Sequence, residues 1–174
     1  MKRREEGFTL VELLMVVAII GILASMAITS VLRARLAANE ASAIGSLRTI
    51  TSGQVVYSAT CAGGNYAIDL TVLRANPPLS PIPFLPPDLT TAAVTQKSGF
   101  RFTLAPSLGS APGLVSDCNA NPTQNGYIAT GVPTSFGMSG NRSFATMSPT
   151  NVIWQTFSAI PPAEPFGAPS QVLQ

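Results

Sequence analysis

Phe8 to Ile28 reads FTLVELLMVVAIIGILASMAI, twenty-one residues whose one charged side chain is Glu12. As a helix rising ~1.5 Å per residue this run is ~31 Å long, the thickness of a ~30 Å hydrocarbon layer. The segment is therefore long and apolar enough to cross a membrane, and any fold for the chain must give it a medium other than water. Lys2, Arg3 and Arg4 stand before it. Positive residues are retained on the cytoplasmic side, which orients the N-terminus inward, although Arg33 and Arg35 follow closely on the far flank.

Outward from this run the helical pattern continues. Leu32, Leu36, Ala43, Ile44, Leu47, Ile50, Gln54 and Val55 recur at three- and four-residue steps, with Arg33, Arg35, Asn39, Glu40, Ser46 and Arg48 falling mostly elsewhere. Residues 29–58 thus read as an amphipathic continuation of the same helix, which from Phe8 to about Ser58 would be ~75 Å long. Gly45 and Gly53 each lower helix propensity by ~1 kcal/mol relative to Ala. They are read equally well as sites of close packing or as neutral.

Proline then divides the chain. All fifteen prolines lie at or beyond Pro77, and residues 77–174 also hold eight glycines, so regular elements there must be short. Gly63 and Gly64 mark a turn after the helix, and the stretch from Pro77 to Pro87 is too rich in proline for either regular element. Gly99–Ala105 alternates Phe100, Phe102 and Leu104 with Arg101 and Thr103, the pattern of a half-buried strand. Tyr127–Val132, Arg142–Met147 and Val152–Phe157 are weaker candidates. Three to four antiparallel strands covering the amphipathic half of the helix make an α+β fold. Trp154 and Phe157 are expected in its core.

Composition excludes several functions. Only 10% of the 174 residues are charged, against roughly 25% in an average soluble domain, and the mean hydropathy is +0.33. There is no histidine. His-based general base catalysis, Ser-His-Asp arrangements and His-containing metal sites are therefore excluded. Residues 59–174 balance Asp69, Asp88, Asp117 and Glu164 against Arg74, Lys97, Arg101 and Arg142. A neutral domain carries no electrostatic footprint for nucleic acid, so no nucleic-acid partner is expected. The acids are scattered without the spacing of a calcium loop, and neither a metal site nor a cofactor is expected.

Three readings fit the apolar run. A secretory signal has the same basic start and apolar core, with small residues near Ser25 and Ala27. A simple anchor has the same length but leaves Glu12 unexplained, since a charge at mid-bilayer costs up to ~3 kcal/mol. The third reading accounts for the acid. GFTLVELLMVVAIIGILA, from Gly7 to Ala24, resembles the N-terminus of type IV pilins and of the pseudopilins of type II secretion.

That resemblance implies a leader of residues 1–7, removed by a membrane prepilin peptidase that cuts between Gly7 and Phe8, and N-methylation of the new terminus at Phe8. It implies a transmembrane and filament-core helix over 8–28, its amphipathic continuation over 29–58, and a C-terminal pilin domain over 59–174. Glu12 would pair with the Phe8 amine of a neighbouring subunit as the helices bundle, neutralising a buried charge and setting the axial register. The implied partners are the lipid bilayer before assembly, an inner-membrane assembly platform, and further copies of the chain in a helical homo-oligomer. The protein would sit in the inner membrane with its C-terminal domain in the periplasm, and then in an extracellular pilus or a periplasmic pseudopilus. The implied function is that of a structural subunit rather than an enzyme; the alternatives are a type II secretion pseudopilin and a membrane-anchored periplasmic binding protein. Many family members carry a helix-kinking proline where this chain has Thr29, so a melted segment is not expected here.

Cys61 and Cys118 are the only cysteines. In an exported chain folding in an oxidising space they read as one disulfide, closing a 57-residue separation and worth ~4 kcal/mol on chain-entropy grounds. Two free thiols are the alternative. Pilins more often carry a disulfide and major type II pseudopilins a calcium site, but the pilin bridge usually encloses a C-terminal loop.

Overall fold

The computed structural model describes residues 7–77 and 80–173. Most of the expected leader, residues 1–6 with its three basic positions, lies outside the described residues, as do two positions of the Pro-rich stretch. The chain divides into two compact units, one ending at Arg35 and one beginning at Leu36.

One helix, α1 (Leu10–Thr60), runs without interruption through Gly21, the Thr29–Ser30 pair, Gly45 and Gly53. Its start is built by Thr9, whose hydroxyl accepts the Glu12 N–H at 3.2 Å while its carbonyl accepts the Leu13 N–H at 3.2 Å. This is the cap that a threonine supplies to the orphan donors of a first turn. The end is made by glycine. Gly63 and Gly64 take φ of +58° and +92°, and the Gly64 N–H returns to the Ser58 carbonyl at 2.9 Å.

From Leu36 onward the helix buries Ala43, Leu47, Ile50, Gln54 and Tyr57, a stripe with steps of three and four. Facing residues come from a six-stranded antiparallel sheet ordered β2 (Val94–Lys97), β3 (Phe100–Pro106), β5 (Tyr127–Pro133), β6 (Ser143–Met147), β7 (Ile153–Thr156) and β8 (Gln171–Val172). A separate pair joins β1 (Tyr66–Ala67) to β4 (Thr123–Gln124). In β3, Phe100, Phe102 and Leu104 turn inward, and in β5 Tyr127, Ala129, Gly131 and Pro133 do so. A Cβ on Gly131 would lie 3.0 Å from the Phe102 ring and 3.6 Å from Leu47, so the absent side chain lets the helix lie close to the sheet. Gln54 is buried without loss because its amide both accepts from and donates to the Ala67 backbone, at 2.9 and 3.1 Å.

The architecture is the expected α+β arrangement of one long N-terminal helix and an antiparallel sheet. The four expected strands correspond to β3, β5, β6 and β7, which stand side by side. The sheet is nonetheless wider than the expected three to four strands. β2 and β8 extend its two edges, and they are short strands carrying little alternation to read. Three side-chain expectations are corrected. Glu40 and Ser46 are buried, since loops beyond the sheet also cover the helix; Val55 is exposed and Tyr57 takes its place in the stripe. Phe157, just past the end of β7, is 69% exposed, and Trp154 is only half-buried because β7 lies one place from the sheet edge. The Pro-rich stretch sends Phe84 and Leu85 into the core, with the Leu85 N–H bonded to the Leu73 carbonyl at 3.0 Å.

Candidate assembly segment

Among its described residues the N-terminal unit has no core of its own. Every residue from Gly7 to Arg35 is exposed, and fourteen large apolar side chains between Phe8 and Ile28 face outward. An 18-residue window of the helix reaches a mean hydropathy of 2.6 with none of it buried. Each such side chain forgoes ~1.5–3 kcal/mol when left in water, so the surface requires an apolar medium or apolar partners. The polar groups along it are already satisfied internally. Ser25, Thr29 and Ser30 donate their hydroxyls to the carbonyls of Ile22, Met26 and Ala27 at 2.7, 3.3 and 2.9 Å. A spanning helix needs this, because lipid supplies no hydrogen-bond partner.

The exception is Glu12. It stands in the first turn of α1, where the positive end of the helix dipole favours an acid. Among the described residues it makes no ion pair. Phe8 lies two positions before the helix, 72% exposed, and Gly7 precedes it with open space around its Cα. The segment thus brings an accessible Gly-Phe bond, an acid one turn on and an uncovered apolar surface into one short stretch.

In the second unit, the structure joins Cys61 to Cys118 with their Cα atoms 4.9 Å apart. The Cys118 N–H also donates to the Cys61 carbonyl at 2.9 Å. Asp117, beside the bridge, accepts from the Tyr57 hydroxyl at 2.9 Å, the Asn119 N–H at 2.8 Å, and the Asn121 N–H and side-chain amide at 2.7 and 3.0 Å. Burial raises the Asp117 carboxyl, but these donors outweigh it and hold the group below the usual carboxylate value. Burial, and then the Asp117 hydrogen bond and charge, push the Tyr57 phenol well above its usual value. With its oxygens engaged by donors, Asp117 is a structural acceptor, and no group of three metal-binding side chains occurs among the described residues. Asp69 likewise turns back on its own loop, accepting from Thr71 and Val72.

Glu40 and Arg142 carry a role that the sequence alone does not reveal. Glu40 accepts the Arg142 Nε–H at 2.8 Å, a second guanidinium nitrogen at 2.6 Å, and the Asn141 N–H at 2.8 Å. Arg142 continues to Gln155 at 2.8 Å and lies over the Phe144 ring. The sequence places Glu40 among the polar residues off the apolar stripe and gives no sign of its partner, which lies 102 residues away.

Residues 2–28 match a protein-family model described as the prokaryotic N-terminal methylation motif. The motif is characteristic of the type IV pilin and pseudopilin family and points to a structural protein, and with the long apolar helix it fits an inner-membrane anchor. The chain matches no curated protein and no solved structure.

Proposed function

Proceeding from a chain that carries the N-terminal methylation motif of pilin-like prepilins, we propose that this protein is a structural subunit of a type IV pilus-like filament. A prepilin peptidase removes residues 1–7 by cutting between Gly7 and Phe8, and Phe8 becomes the methylated N-terminus. Before assembly, residues 8–28 span the inner membrane with the N-terminus in the cytoplasm and the C-terminal domain in the periplasm. During assembly an inner-membrane platform moves the helix from lipid into a bundle of like helices, exchanging one apolar surround for another. The observation that carries this reading is the uncovered apolar helix broken only by Glu12 in its first turn.

Cleavage places an ammonium group at Phe8, four residues before Glu12. In an apolar bundle neither charge is stable alone. Pairing between neighbouring subunits satisfies both and fixes the axial position of each new subunit, a register role for which buried polar pairs are well suited.

Glu12→Ala tests this. The variant is expected to be processed and retained in the membrane while the yield of surface filament falls at least about tenfold, since loss of one partner of a buried pair costs ~3–5 kcal/mol. Filament yield equal to that of the unaltered chain removes the register role. If the unaltered chain forms no surface filament and its loss stops the export of other proteins, the type II pseudopilus is the correct machine.

A further inference from the structure

Removal of the leader redistributes the charge of the N-terminal unit. Before the cut between Gly7 and Phe8 the unit carries Lys2, Arg3, Arg4, Glu5 and Glu6, and after it Glu12, Arg33 and Arg35. Cleavage discards the first group and creates an ammonium at Phe8, which Glu12 offsets. Arg33 and Arg35 then stand uncompensated at the far end. Positive residues are ordinarily retained on the cytoplasmic flank of a span, so processing inverts the bias with which the precursor is inserted.

Both arginines are exposed, and neither makes an ion pair among the described residues. Glu12 lies ~31 Å away along the helix, and Glu40, the next acid in the chain, is held by Arg142 and the Asn141 N–H. Their depth follows from helix geometry. α1 is unbroken between Ile28, where the apolar run ends, and Arg35. The Cα atoms of Arg33 and Arg35 therefore lie ~7.5 and ~10 Å past the hydrocarbon edge, and the headgroup layer on each side of a bilayer is ~5–8 Å deep. Helical side chains lean toward the N-terminus, here back toward the bilayer, so the long arginine stems carry their guanidinium groups in among the phosphates. Val31 and Leu32, both exposed, continue the apolar surface beneath them. Two positions apart, the side chains leave the helix ~200° from one another. They cannot share one phosphate and must reach separate lipids.

We infer that Arg33 and Arg35 form a two-sided site for the phosphate groups of anionic phospholipids in the periplasmic leaflet, and that this site fixes the depth of the mature helix before assembly. A guanidinium presents a planar fork of donors that matches two phosphate oxygens. An anionic lipid leaves that phosphate uncompensated, whereas the ammonium of a zwitterionic lipid competes for it. The inference rests on the processing and membrane span proposed above. It adds the class of lipid the helix selects, and a contact that must be given up when the helix leaves the bilayer.

Mature chain recovered from the membrane and transferred into nanodiscs of equal phosphatidylglycerol and phosphatidylcholine tests it, with native mass spectrometry counting the lipids each chain retains. The unaltered chain is expected to retain phosphatidylglycerol over phosphatidylcholine by about thirtyfold, each arginine contributing about fivefold. Arg33→Gln and Arg35→Gln are each expected to cut the ratio about fivefold, and the double variant to bring it to about one. Lysine at both positions keeps the charge and is expected to keep most of the preference. Both residues are exposed, so the substitutions leave the core untouched. Glycerol phosphate in solution is expected to give no adduct with the detergent-held chain. An unaltered chain without preference, a double glutamine variant that keeps it, or equal capture of glycerol phosphate overturns the lipid site and leaves the filament reading in place. A chain recovered with residues 1–7 still attached overturns both. The expected lipid preference in a chain that forms no surface filament supports the site and overturns the filament reading alone.

Discussion

Tyr57 and Asp117 meet where the helix ends beside the Cys61–Cys118 bridge, and their ionisation sets how the domain responds to pH. Asp117 titrates lower in the folded chain than in the unfolded one, so the stability it contributes is present above its unfolded pKa of ~3.9 and is lost as pH falls through the lower folded value. Tyr57 behaves oppositely. Its folded pKa is raised, and Tyr127 is pushed up to about 12, chiefly by burial. Their contribution is complete below ~10 and is lost as pH rises through the folded values. Unfolding of the full chain in detergent should therefore show a plateau between about pH 4 and pH 10, falling on both sides. Tyr57→Phe is expected to cost about 1–2 kcal/mol at neutral pH, because the Asp117 carboxylate loses a buried donor. A variant as stable as the parent would show that the hydroxyl bond contributes nothing. None of this pairing was legible beforehand: the sequence marks Asp117 as one of four scattered acids, and only folding brings it to a phenol sixty residues away.

Among the elements, α1 was legible almost to its ends because its causes are local: a threonine cap, a proline-free run and a glycine pair at the stop. β3 was legible for a related reason, since strict alternation is written in the strand itself. The short edge strands were not, because two to four residues carry too little period and their pairing is fixed by distant neighbours. The two glycines within the amphipathic half, indistinguishable in sequence, separate in the structure. Gly45 is exposed, and a Cβ there would have nothing within 4 Å, whereas a Cβ on Gly53 would meet Leu85 at 2.8 Å and the Phe84 carbonyl at 2.9 Å. Gly45→Ala is expected to stabilise the chain by up to ~1 kcal/mol through helix propensity. Gly53→Ala is expected to destabilise it by about 1–3 kcal/mol, because the backbone carbonyl facing it cannot give way as a side chain can. Equal effects in a denaturation comparison would contradict this placement of the Pro-rich stretch against the helix.

At the scale of the whole molecule, the low charge of the chain has two sources. The N-terminal unit is apolar, as the proposed passage from lipid into a bundle of like helices requires, and the C-terminal unit is nearly neutral, with Glu40 paired to Arg142 and buried Asp117 held by neutral donors. The candidate segment is linear, so Gly7, Phe8 and Glu12 can be singled out from the sequence as a proposal, whereas the Glu40–Arg142 pair depends on the assembled domain. The claim on which the account turns is that the helix is an assembly element exposed by processing. Mass spectrometry of the mature protein recovered from the membrane tests it most directly: a chain beginning at N-methylated Phe8 is the expected result, and one that still begins at Met1, or begins near Ile28, would contradict it.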